Sequence, residues 1–103
     1  MLKGMLLRTD GTYEIVEYED KLEVLQGFVG GLIDYVQIST RGIDMIINDE
    51  GKILGMDVNY NATRLYAYDI IVGDVLVVRT ENGENVDLTD EDIDLIIEEI
   101  EAK

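Results

Sequence analysis

The sequence predicts an α+β domain: an antiparallel or mixed β-sheet with two or three helices, the last an acidic C-terminal helix packed on the sheet. Three observations point there. Short β-prone runs are separated by Gly- and Asn-containing turns, of which Asp10-Gly11 is the strongest hairpin signal. Two stretches, 19–29 and the segment from Thr89 onward, switch to the helical spacing of apolar residues. The chain has 103 residues and no repeats, linkers or low-complexity tracts, so 1–103 is read as one domain with one modest core.

The elements follow in order. Residues 2–8 and 12–18 read as strands around the Asp10-Gly11 turn. In the second strand Tyr13, Ile15 and Glu17 alternate with Glu14, Val16 and Tyr18, so polar and apolar side chains share both faces and the pattern leaves the register open. Residues 19–29 read as a helix, with Asp20 as N-cap, Glu23 three positions on, and Leu22, Leu25, Phe28 and Val29 facing the core. Gly30-Gly31 ends it. Strands are expected at 32–38 and 43–48, a turn at 48–51 and a short return segment at 52–58. Residues 59–68 read as a short helix or structured loop opened by an Asn cap. Residues 70–80 are strongly β, interrupted at Gly73-Asp74 by a turn or bulge, and 81–85 form a turn.

The closing stretch DLTDEDIDLIIEEIEAK, residues 87–103, holds eight acids and one base. Thr89 and Asp92 fit a capping box in its carboxylate form, and Asp90, Glu91 and Asp92 fill the first turn, where the helix dipole favours negative charge. Ile93, Ile96, Ile97 and Ile100 make one apolar stripe, and Glu91, Asp94, Leu95, Glu98 and Ala102 fall opposite. Glu98, Glu99 and Glu101 sit at the end the dipole disfavours, offset in the sequence only by Lys103. They serve either solubility or contact with a basic partner, with Leu95 as an apolar contact centre ringed by acids. Asp90, Asp92, Asp94 and Glu101 mimic EF-hand positions, but Leu95 stands where glycine is required, and the isoleucine periodicity demands helix.

Composition narrows the chemistry. The net charge is −15, from 23 acids and 8 bases, with no His and no Cys. Direct nucleic-acid binding and binding to an anionic membrane both need Lys and Arg, and are disfavoured. The missing types remove disulfides, thiolate chemistry, thiolate zinc sites and imidazole acid–base work. Carboxylate pairs are too numerous to single one out, and the lone Ser39 has no base to activate it. The reading is a non-enzyme with no cofactor and no metal. The start MLKGMLLRTDG carries charge too early for a secretory signal, and no apolar run reaches membrane length, so a cytoplasmic location is expected. Arg64, among Tyr60, Asn61, Tyr66 and Tyr68, is either a loop-ordering residue or a partner contact.

KGMLLRTDGTYEIVE at 3–17, VGGLID at 29–34, IINDEGKILGMDVNYNATRLY at 46–66 and DIIVGDVLVV at 69–78 resemble a small family of uncharacterised domains encoded by phages and other mobile elements. Within that neighbourhood, length and acidity are similar to those of anti-CRISPR proteins that inhibit the type II RNA-guided nuclease. The resemblance implies a fold more than a site. Joined to the charge, it implies an inhibitor that sets an acidic, DNA-mimicking surface against the nuclease or its guide complex. The residues expected to carry the contact are Glu91, Asp94, Glu98 and Glu101, extended by Asp87 and Glu84, with Leu95 and Arg64 as further contacts. The alternative is a non-catalytic accessory module of mobile elements whose acidity serves solubility, and which self-associates through an uncovered sheet edge. The target's identity and the oligomeric state are not legible in the sequence.

Overall fold

A computed structural model describes residues 1–102. The chain runs β1 (Leu2–Leu7), β2 (Tyr13–Tyr18), α1 (Leu22–Val29), β3 (Ile33–Ser39), β4 (Ile43–Asn48), α2 (Tyr60–Tyr66), β5 (Val75–Glu81), β6 (Glu84–Val86) and α3 (Asp90–Glu101). This is the α+β class read from the sequence. Every described strand pair is antiparallel, so the mixed-sheet alternative drops out. The order across the sheet is β2-β1-β5-β4-β3. β6 folds back on the outer half of β5, on the flank that β1 occupies further along.

The sheet is buried on both faces because its central strands are apolar at consecutive positions, not alternating ones. Met5, Leu7, Met45, Val75 and Val77 belong to one core with Ile93, Ile96 and Ile100 of α3 and Ala62 of α2. Leu6, Ile46, Leu76 and Val78 belong to the other, with Leu25 and Val29 of α1 and Tyr18 of β2. The molecule therefore has three layers, α1 on one side and α2 with α3 on the other. The β1–β2 register pairs Leu2 with Tyr18 and Leu7 with Tyr13. This settles the face ambiguity of β2: Val16 and Tyr18 turn to α1, and Tyr13 turns to α3. Gly4 makes it possible, since a Cβ there would lie 3.1 Å from the Tyr18 ring and 3.1 Å from the Val77 carbonyl.

Three local expectations need correction. Asp20 is not the cap of α1. Lys21 holds the N-cap position without a side-chain bond, and Asp20 instead accepts a hydrogen bond from Asn85 Nδ2 at 2.9 Å. Leu22 does not face the core; it is 56% exposed at the start of the helix. The return segment 52–58 reaches an isolated bridge from Val58 to Val72. The 81–85 turn is tighter than expected: Asn82 and Gly83 both take positive φ, as a two-residue hairpin requires, and Glu84 already begins β6. The Asp10-Gly11 hairpin and the Asn59 cap of α2 form as expected.

Candidate functional site

The acidic helix is fixed at its start by two sets of bonds on one residue. Thr89 Oγ1 accepts from the Asp92 amide at 3.1 Å, and Asp92 Oδ2 accepts from the Thr89 amide at 2.9 Å. Asp92 also receives Arg79 Nη1, at 3.0 Å to each carboxylate oxygen. Asp92 is thus a buried strut between β5 and α3, not one of the displayed acids. The sequence offered two signs of this pair: Asp92 at the third helical position, and Arg79 as the charge that ends the apolar run 75–78. Because 90–101 is helical, Asp90, Asp92 and Asp94 do not form a calcium-type loop.

The isoleucine stripe behaves as its spacing dictates. Ile93, Ile96 and Ile100 are buried and Ile97 is partly buried, while Glu91, Asp94, Leu95, Glu98 and Glu99 face solvent. The disfavoured end of the helix is held from within the chain. Arg64, in the last turn of α2, donates from Nη1 to the Ile100 carbonyl at 3.3 Å and to the Ala102 carbonyl. A guanidinium there satisfies carbonyls the helix leaves open and opposes the negative dipole end. Tyr13 Oη donates to Glu101 Oε2 at 2.8 Å, and that bond, with desolvation and the Glu101 charge behind it, raises the phenol pKa above its ordinary value. Lys103, the base the sequence offered for this role, lies outside the described residues.

The remaining site residues separate into two groups. Asp87 accepts from the Lys3 amide at 2.7 Å, and the Leu88 amide donates to the Lys3 carbonyl at 3.0 Å, so Asp87 ties the α3 approach to β1. Glu84 pairs across the hairpin with Glu81, and the register puts it on the sheet face that carries α3. Glu91, Asp94 and Glu98 form the other group, on the exposed face of α3; among the described residues no Lys or Arg lies within ion-pair distance of them, as is also true of Asp87 and Glu84. Leu95, 49% exposed, lies among them. It forms one wall of a groove of about 270 Å³, with Ile38, Ile43, Leu65 and Ile96 completing the apolar lining and Arg41 and Asp92 at the polar margin. The sequence showed Leu95 but not the groove, which exists only because the β3–β4 turn comes up beside α3.

Residues 2–101 match a family described as a domain of unknown function, DUF3846, and the chain belongs to that family. No curated protein and no solved structure shows significant similarity to it. Among the described residues, no helix is long and apolar enough to cross a membrane.

Proposed function

Taking membership of this family of unknown function as the premise, we propose that the chain is a non-catalytic inhibitor that binds the basic, phosphate-holding surface of a nucleic-acid-handling enzyme. The target we favour is the type II RNA-guided nuclease, and the setting a mobile element acting inside a bacterial host. One observation carries the reading: Glu91, Asp94 and Glu98 stand on a helix anchored by Ile93, Ile96, Ile100 and the Asp92–Arg79 pair, with no described Lys or Arg within ion-pair distance of them. A preorganised row of carboxylates loses little conformational freedom on binding, and a Lys- and Arg-lined channel is its electrostatic complement. Glu101, Asp87 and Arg64 contribute by fixing the ends of that row, since each is already bonded within the chain.

The test is cleavage of target DNA by the purified nuclease, with the protein added before or after guide loading, at low and high salt. Protection that fades with salt is expected. The triple change Glu91→Gln, Asp94→Asn, Glu98→Gln should reduce protection at least about tenfold, because three charge contacts are lost together. Full protection by that triple variant would overturn the charge-mimic mechanism.

A second reading, the accessory module, draws on a different surface. β2 and β3 are the sheet's outer strands, and Ile53, Tyr68 and Ile70 are exposed near the β3 side. A defined oligomer by light scattering together with no salt-dependent protection would favour it.

A further inference from the structure

We infer that the groove beside Leu95 is the anchor pocket of the acidic surface, seating one aliphatic side chain from a basic segment that runs along α3. The inference rests on the acidic-face reading and adds an apolar requirement to it. Leu95, Ile96, Ile38, Ile43 and Leu65 line a space of about 270 Å³, room for a single branched side chain and not for a second helix.

The charge around the mouth is asymmetric, and that asymmetry selects the occupant. Glu91, Glu98 and Glu99 are the helical neighbours of Leu95 at three and four positions, and all three are exposed. The opposite wall ends in Arg41, whose side chain has no ion-pair partner among the described residues and which borders, with Arg79, Glu91 and Leu95, a second small pocket. Gly42, with φ +94°, lets this turn approach β5 closely enough for the Thr80 amide to donate to the Gly42 carbonyl at 2.8 Å, which holds Arg41 at the groove. Asp92 adds no net attraction, because Arg79 neutralises it. Cations flanking the anchor are drawn to the α3 wall and repelled from the turn. The segment therefore lies along the helix with its apolar side chain turned inward. Charge on the helix supplies encounter and direction, and the groove supplies the contact that charge alone lacks.

Blocked pentapeptides titrated into isotope-labelled full-length protein test this, read by methyl and amide NMR shifts. The probes are Lys-Lys-Leu-Lys-Lys, Lys-Lys-Ala-Lys-Lys and Glu-Glu-Leu-Glu-Glu. The first should shift the methyls of Ile38, Ile43, Leu65, Leu95 and Ile96 and bind about tenfold more tightly than the second, the difference expected for burying a leucine. In Leu95→Ser, which alters a half-exposed wall residue, the two basic peptides should bind alike. Equal binding of the two basic peptides to the unaltered protein, with shifts confined to the exposed face of α3, would overturn the pocket and leave the acidic-face reading standing. Binding of neither would overturn both. Tightest binding by the acidic peptide would overturn the assigned partner charge and make the groove an anion site centred on Arg41.

Discussion

Two buried asparagines do matching work on opposite sides of the sheet, and they do it to different extents. Asn59, fully buried, caps α2 by accepting from the Ala62 amide at 3.1 Å, and its Nδ2 donates to the Leu7 carbonyl at 3.0 Å and the Gly73 carbonyl at 2.9 Å. Asn48, on the α1 side, accepts from the Glu50 amide at 2.8 Å and donates to the Val29 carbonyl at the end of α1 at 3.1 Å. One asparagine joins a helix start to the end of β1 and to the loop before β5; the other joins a helix end to its own turn. Both lie in the 46–66 stretch that carries the family resemblance. That stretch therefore encodes the attachment of helices to the sheet, and the acidic helix it helps support is specified elsewhere.

The sharpest way to break this comparison is to remove each amide. Asn59→Ala loses a helix cap and leaves two carbonyls without that donor in a region closed to water, for a cost of about 3 kcal/mol. Asn48→Ala loses one bond on each side of its amide beside a partly open turn, for about 2 kcal/mol. Urea midpoints should fall in that order with the denaturant slope unchanged. If Asn48→Ala proved as costly as Asn59→Ala, the two faces would be equally dependent on their asparagines and the asymmetry would be wrong.

A smaller effect sharpens the same contrast at the helix starts. α3 has a complete capping box, whereas Lys21 at the start of α1 has extended N-cap geometry and no side-chain bond. Lys21→Ser should therefore stabilise the protein by about 0.5–1 kcal/mol, while Thr89→Ala should cost about 1 kcal/mol. The Lys21–Glu19 pair lost in the first change, at 2.9 Å between exposed side chains, contributes little. Thermal unfolding midpoints moving in opposite directions would support this; a destabilised Lys21→Ser would show that the α1 start is set by something other than its cap.

The same asymmetry accounts for what was legible in the sequence. α3 was readable almost residue by residue, because the cap, the acids of the first turn and the isoleucine spacing agree with one another. α1 was readable as a helix but not at its boundary: Asp20 has the right chemistry for a cap, yet Asn85 of β6 recruits it from 65 positions away. Asn59 was legible as a cap, since that bond is local, but its donations to Leu7 and Gly73 were not. Arg64 was readable only as a cation in an aromatic neighbourhood, and its target, the α3 carbonyls, lies 36 and 38 positions on. The displayed acids were visible at once. The Asp92–Arg79 pair and the groove depend on which strands stand next to one another, which local pattern does not encode.

The smallest effect concerns the far end of α3, where the helix is joined to β2 by the Tyr13–Glu101 bond. The phenol bonded to the carboxylate titrates above its ordinary value, Glu101 being the main cause, followed by desolvation. A group whose pKa is raised by folding contributes stability that is fully present below the unfolded value, about 10 for tyrosine, and that is lost as pH rises through the folded value. The contact should thus be intact at neutral pH and fail only under strongly alkaline conditions, where phenolate and carboxylate repel. Tyr13→Phe removes the bond and the titration together, so it should lower stability slightly at neutral pH and flatten the alkaline decline. Absorbance of ionised tyrosine, taken as wild type minus Tyr13→Phe, reads the site directly. A difference titration at or below the ordinary tyrosine value would mean that the bond does not hold α3 to β2 in solution, and that Arg64 alone secures that end of the acidic helix.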